Sequence, residues 1–369
     1  MSLARDIANL GSSATRTAGS NNKNMIINGS MNVAQRATSA TGIGGSNGYH
    51  VCDRWSIGSS TTAGRLTMTQ ESDGPSGFAN STKLACTTAD TSIAGAESMI
   101  FRQLIEGQDL QRICKGTSDA KEITFSFYAK ANAAATYTVE LFDATNSRQI
   151  SKTFSVTTAW TRVSLTFPAD TTGAFADSNA VGLYVMIWLH VGGDVSSGTV
   201  NDTSWAASVE ANRVSSSQTS FLDSTARTFF ITGVQLEVGS TATDFEHEPY
   251  SVTLAKAQRY YFQETTTATD ASGILGVASG AATVVFNQSL PVQMRTKPSV
   301  SLTSTNLRIG DTVAAGFTTT SGTIAIQSYS GSASVTYTLG GFSGLTSYRT
   351  YLHEPDGTST GYVKFDAEL

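Results

Sequence analysis

Between residues 65 and 238 apolar and polar positions alternate with a period of two. Ile123, Phe125, Phe127 and Ala129 alternate with Thr124, Ser126, Tyr128 and Lys130. Tyr137, Val139 and Leu141 alternate with Thr138 and Glu140, and Val163, Leu165 and Phe167 with Arg162, Ser164 and Thr166. Gly, Asn, Asp or Pro bounds each run, the pattern of half-buried antiparallel strands. Residues 183–189 are apolar on both faces and read as a central strand covered on each side. The segments 229–231 and 234–238 close a set of roughly eight to ten strands, which predicts two packed sheets, a sandwich or jelly roll. The mid-chain helix expected in 97–113 has Ile100, Leu104, Ile105 and Leu110 on its apolar side and is interrupted by Gly107.

The same pattern divides the chain. Residues 1–24 are polar and Gly/Ser-rich, too short to bury a core, and read as an N-terminal arm that attaches to something larger. Residues 25–250 form the expected jelly roll, and 251–262 a short helical linker carrying Leu254, Ala257, Tyr261 and Phe262. Residues 263–369 form a smaller β domain with strand candidates at 281–287, 299–303, 323–328, 334–339 and 362–368. The predicted fold class is therefore all-β: a jelly-roll β-sandwich followed by a smaller, sandwich-like C-terminal domain.

Composition narrows the function classes. Of 369 residues only 14% are charged, 40% are hydrophobic, and the net charge is −5. Ser and Thr supply about a quarter of the chain. A disordered chain would be less apolar and more charged, and a nucleic-acid binder would carry a basic stripe. No run reaches the ~18 apolar residues of a membrane helix, so neither nucleic acid nor membrane insertion is expected. The opening Met1-Ser2-Leu3-Ala4-Arg5-Asp6 lacks the apolar stretch of a signal peptide, and none is expected. The three cysteines, Cys52, Cys86 and Cys114, fit neither a disulfide framework nor a zinc-ligand spacing, and read as three buried thiols of a chain folded in a reducing cytoplasm.

Candidate chemistry is sparse. The four histidines form no HExxH pattern, and no GxSxG or P-loop is present. His190 continues the central strand and reads as a core or edge histidine. Glu246-His247-Glu248 reads as solvated linker, because neighbours on an extended chain face opposite ways. Glu140, Asp143, Asp170, Asp177, Asp194 and Asp202 are available for a glycosidase pair, but no long repeat of a β-helical depolymerase occurs. No catalytic residue, metal ligand or cofactor is therefore assigned. A sugar-binding face needs a flat ring beside planar polar groups. The candidates are Tyr128, Tyr184, Trp188 and the loop residue Trp205, the first three expected on one face opposite the core. The competing expectation is that Tyr184, Met186 and Trp188 are covered by residues 1–60 or by another subunit. Asp53-Arg54-Trp55 reads as an ion pair packed on a ring, fixing the start of the domain.

Several stretches, in order, resemble a family of tailed-phage virion proteins, commonly tail fibres or receptor-binding proteins with a carbohydrate-binding-module-like jelly roll. They are Asn24-Met25-Ile26-Ile27-Asn28-Gly29-Ser30-Met31-Asn32-Val33-Ala34-Gln35-Arg36, Asp53-Arg54-Trp55, and Thr124-Phe125-Ser126-Phe127-Tyr128-Ala129-Lys130-Ala131. Trp160-Thr161-Arg162, Gly233-Val234-Gln235-Leu236-Glu237-Val238-Gly239-Ser240 and Gln258-Arg259-Tyr260-Tyr261 follow. Arg295-Thr296-Lys297-Pro298 and Asp366-Ala367-Glu368-Leu369 resemble the family's tip domains more loosely. The resemblance implies a non-enzymatic virion adhesin for a host surface glycan, assembled in the host cytoplasm and then extracellular. It also implies a homotrimer joined to other virion proteins, on tail or capsid, through its N-terminal arm. A capsid decoration or head-fibre protein without a specific receptor is the alternative. In similar jelly rolls carboxylates bind calcium, so Glu237 is expected either to bind calcium or to hydrogen-bond loop amides.

Overall fold

The structure, a computed structural model, describes residues 22–266, 274–304, 306–311, 316–354 and 361–369. The chain forms two compact units. The first comprises residues up to Asn32, Ser39–His50 and Trp55–Glu248; the second comprises Val33–Thr38, Val51–Arg54 and Pro249–Leu369. The N-terminal arm expected over 1–24 lies almost wholly outside the described residues.

In the first unit the strands are β1 (Ser39–Ile43), β2 (Gly48–Tyr49), β3 (Ser56–Ser60), β4 (Arg65–Glu71), β5 (Ser81–Thr88), β6 (Ser98–Glu106) and β7 (Ile123–Ala131). They continue as β8 (Ala135–Asp143), β9 (Arg148–Val156), β10 (Thr161–Phe167), β11 (Val181–Val191), β12 (Ala206–Ala207) and β13 (Thr228–Val238). One sheet runs β1-β4-β5-β13-β7-β10, the other β12-β9-β8-β11-β6-β3-β2, every pair antiparallel. The result is a jelly-roll sandwich whose inner faces carry the alternating apolar residues. Phe127 of the first sheet meets Phe154 of the second edge-on at 5.0 Å, and Tyr137 meets Phe229 at 5.5 Å. The wholly buried Trp55 stacks on Phe101 with ring centres 4.7 Å apart.

The expected mid-chain helix is instead β6 followed by a 3₁₀ turn, Gly107–Ile113. β6 is buried on both faces, so its apolar residues run almost continuously and mimic helical spacing. Its Gln103, facing the N-terminal segment, exchanges hydrogen bonds with the Ile27 backbone at 2.8 and 2.9 Å.

β13 is the strand on which the N-terminal motif depends. It pairs with β5 only over 228–231, then kinks at a bulge containing Gly233, whose φ is +61°. Beyond the bulge, residues 24–29 take over that edge. The Met25 amide donates to the Leu236 carbonyl at 2.9 Å, and the Asn24 side chain bridges Val234 O at 3.1 Å and Leu236 N at 3.0 Å. The conformation requires glycine at 233, because an added Cβ would lie 2.7 Å from the Phe78 ring and 2.9 Å from that of Tyr128.

The second unit opens with a helix, Tyr250–Gln258, followed by β14 (Tyr261–Thr266), β15 (Leu275–Ala278), β16 (Thr283–Ser289), β17 (Ser299–Leu302) and β18 (Leu307–Gly310). It closes with β19 (Phe317–Thr319), β20 (Thr323–Ile326), β21 (Ser334–Gly340), β22 (Thr350–Glu354) and β23 (Gly361–Asp366). Sheets β14-β23-β17 and β19-β18-β22-β15-β16-β21-β20 enclose a core containing Phe286, Tyr337, Leu339, Tyr351 and Phe365.

Residues of several sequence motifs from both ends of the chain meet within this second unit. Arg54, 1% exposed, pairs with Glu368, and its guanidinium lies 3.4 Å from the Tyr260 ring centre. Arg36 lies 3.6 Å over the Tyr261 ring and pairs with Glu368 at 3.2 Å, Asp366 at 3.4 Å and Asp53 at 3.7 Å. Asp53 also accepts the Gln35 amide at 3.1 Å, and burial pushes its carboxyl up to about 6, against the pull of Arg36. Asp53 and Arg54 thus take separate partners, while Trp55 turns into the sandwich core.

Candidate functional site

The outward face of β6, β11 and β8 carries a groove. In register, Tyr184 lies between Leu104 and Phe142, Met186 between Arg102 and Glu140, and Trp188 between Ile100 and Thr138. Strand periodicity places all of these opposite the core residues Leu183, Val185 and Ile187. The loop after β11, with the short helix Gly193–Ser196 and a 3₁₀ turn at Glu210–Asn212, folds back over the face. Its Val195 and Val214 pack on Ile100, Met186 and Trp188 and join to each other through a 3.0 Å backbone bond.

Beside this covered patch an open groove of about 580 Å³ remains, lined by Tyr184, Phe142, Arg102, Arg213, Glu210, Asp194, Ser60 and Ser98, among others. Tyr184 and Phe142 are half-buried and meet edge-on at 5.9 Å. Arg102 lies 5.8 Å from the Tyr184 ring centre. Arg213 projects from the covering loop, 4.9 Å from the Trp188 ring and 5.3 Å from that of Phe142. Beneath it, the fully buried Glu140 accepts Arg213 Nε at 3.0 and 3.2 Å and the Trp188 indole N–H at 2.8 Å. Burial pushes Glu140 above the usual carboxylate range, against the opposing pull of Arg213. Burial disfavours the Arg213 charge, but the Glu140 carboxylate outweighs that and holds its pKa above the ordinary value. Glu140 therefore anchors Arg213, and the exposed Glu210 receives another guanidinium nitrogen at 3.2 Å.

The sequence-predicted binding residues separate into three places. Tyr184 and Trp188 share the groove, but Trp188 is only 2% exposed and forms its floor. Val195 and Val214 of the 193–214 loop pack over it. Tyr128 stands on β7 of the other sheet, against Phe78 at 5.4 Å, so it does not share a face with Tyr184. Trp205 is 9% exposed, donates to the Pro168 carbonyl at 3.0 Å, and has the Lys115 ammonium 5.5 Å from its ring. That lysine bridges Asp143 at 2.6 Å and Asp170 at 3.0 Å, a buried structural network. His190 is fully buried, in keeping with its reading as a core histidine. Glu237 accepts Gln235 Nε2 at 2.7 Å, the Thr243 amide at 2.9 Å and the Thr243 hydroxyl at 2.7 Å, so both its oxygens bind the closing loop. Phe142, Arg102 and Arg213 complete the groove. The first was readable as the outward continuation of Thr138 and Glu140, whereas Arg213 lies in a loop without periodicity.

No protein-family model matches this chain, and no curated protein matches it. Among solved structures it is similar to a CBM4 module at 14% identity and TM-score 0.32, covering 57% of this chain and 98% of that one. The family 11 carbohydrate-binding module from Clostridium thermocellum, solved with a β-1,3-1,4-mixed-linked tetrasaccharide, is similar at 10% identity and TM-score 0.28, covering 53% and 91%. The enzymatically active domain of bacteriophage CBA120 tailspike protein 4 is similar at 11% identity and TM-score 0.30, covering 59% of this chain and 22% of that one. Likenesses at this level carry no argument about function, which rests on the groove.

Proposed function

We propose that this protein is a glycan-binding adhesin that holds a surface saccharide in the groove on β6, β8 and β11. The observation that carries this reading is the juxtaposition of two half-buried rings, Tyr184 and Phe142, with two guanidinium groups and the acidic rim of Glu210 and Asp194. An aromatic face stacks on the apolar face of a sugar ring, while fixed planar groups sort its hydroxyls. Such contacts are individually weak and are multiplied by copy number on a particle.

The ordered sequence motifs support placing this adhesin on a tailed-phage particle, as a trimeric fibre or receptor-binding protein acting outside the cell. The reading includes binding without turnover. Its test is retention of the full chain on arrayed host surface polysaccharides, beside a Tyr184→Ala variant of unchanged circular dichroism. Tenfold or greater loss in the variant, with no release of reducing ends by the parent, is expected. Equal retention of both proteins overturns the groove assignment, and polysaccharide cleavage overturns the non-enzymatic reading. Light scattering reports the trimer, and a monomeric mass contradicts it.

A further inference from the structure

Outside the groove, one buried cluster has the composition of a metal centre. Asp90 and Glu97, both in the β5–β6 connection, and His190 at the end of β11 bring an imidazole nitrogen and two carboxylate oxygens within 4.8 Å of one another. All three side chains are buried, His190 completely. Asp90 Oδ2 is held by the Thr62 hydroxyl at 2.7 Å and the Ala63 amide at 2.8 Å. His190 Nδ1 lies 2.8 Å from Ser220 Oγ, which accepts the Leu222 amide at 3.1 Å. In the tautomer whose Nδ1–H donates to Ser220, the Nε2 lone pair faces the carboxylates.

Two atoms aimed into this space have no hydrogen-bond partner among the described residues: His190 Nε2 and Glu97 Oε2. They stand 3.6 Å apart, beyond hydrogen-bond length. In that tautomer the lone pair and the Glu97 carboxylate oxygen, buried face to face, repel unless a cation sits between them, and each orphaned polar atom costs roughly 1–3 kcal/mol. The surrounding backbone is fixed. Gly192 N donates to Glu97 O at 2.7 Å, Asp90 N to Leu222 O at 2.7 Å, and Phe221 N to Leu189 O at 2.8 Å.

We propose that Asp90, Glu97 and His190 bind one divalent transition cation of the zinc type. One imidazole nitrogen and two carboxylate oxygens, with water as fourth ligand, suit zinc. Calcium and magnesium take oxygen ligands, and an imidazole is foreign to them. Ligand atoms around tetrahedral zinc lie about 3.3 Å apart for bonds of ~2.0 Å. The 4.8 Å span therefore closes by small side-chain rotations. The Ser220 hydroxyl at His190 Nδ1 and the Thr62 hydroxyl at Asp90 are the supporting contacts that metal ligands need. Because Gly192 and Glu97 are joined, the ion ties the β5–β6 connection to the start of the loop that covers the groove.

The test uses the full chain, stripped with EDTA, dialysed, and titrated with zinc chloride by calorimetry. One equivalent is expected to bind, with affinity lowered at least tenfold in Glu97→Gln and in His190→Gln. Zinc is also expected to shift the His190 ring-nitrogen resonance of the unmodified chain, a readout that stands even where a variant fails to fold. No zinc binding, an unmoved His190 resonance, or preference for calcium over zinc overturns the proposal. A His190 ring that stays protonated to high pH, with no zinc uptake, identifies a proton as the occupant and equally overturns it.

Discussion

Replacing Arg54 with alanine tests whether the Arg36, Arg54, Tyr260, Tyr261 and Glu368 cluster holds the second unit together. Arg54 is 1% exposed and the Glu368 side chain is buried, so the change removes one partner of a buried ion pair. Such truncations cost about 3–5 kcal/mol, largely because the remaining charge is stranded. Here Arg36 still faces Glu368 at 3.2 Å, which favours the lower end. Loss of the guanidinium contact with Tyr260 adds about 1 kcal/mol. Arg54 has φ of +71°, and alanine inherits that strained backbone, so no relief offsets the loss. The expected cost is about 3–4 kcal/mol. Amides of β14 and β23 should then exchange at least a hundredfold faster if they open with the unit, while those of β7 and β8 keep their rates. A double-mutant cycle with Glu368→Gln should give a coupling of about 2 kcal/mol. A cost below 1 kcal/mol, or faster exchange confined to β7 and β8, would refute the reasoning.

Further predictions follow from single positions. Gly233→Ala should destabilise the sandwich by about 2–4 kcal/mol in urea unfolding, combining left-handed strain with overlap against Phe78 and Tyr128; a neutral effect would mean the bulge relaxes freely. His353 is 2% exposed, and burial depresses its imidazole from the ordinary 6.5 to about 4. Because the unfolded chain binds the proton first, its contribution is present above pH ~6.5 and declines toward pH 4, by about 3 kcal/mol in all. Asp53, raised to about 6, drives stability the opposite way over the lower part of that range. The check is therefore the stability difference between the parent and His353→Phe across pH, and a flat difference contradicts the assignment.

Much of the fold was legible in the sequence, for a physical reason. Where one strand face meets the core and the other meets solvent or a polar loop, as in β7 and β8, alternation survives in the residues themselves. It is lost in β6, buried on both faces and read as helix, and in β14, whose Tyr261 and Phe262 fell at the end of a helical pattern. Alternation also says which face of its own sheet a residue occupies, but not which sheet. Tyr128 and Tyr184 were therefore grouped on one face although β7 and β11 belong to opposite sheets. The groove was half legible: Tyr184 and Trp188 lie on a periodic strand, whereas Arg213 arrives on a loop that only tertiary packing positions. The terminal motifs were visible as motifs, but their meeting around Arg36, Arg54 and Glu368, some 314 residues apart for one pair, was not.

The most direct test of the central claim is calorimetric titration of the full chain with a panel of soluble oligosaccharides. Tyr184→Ala and Phe142→Ala would be titrated in parallel, with the sandwich confirmed intact. The account predicts saturable binding by the parent and at least a tenfold weaker affinity in each variant, because both remove a ring that lines the groove. Parent affinity retained in both variants would contradict it.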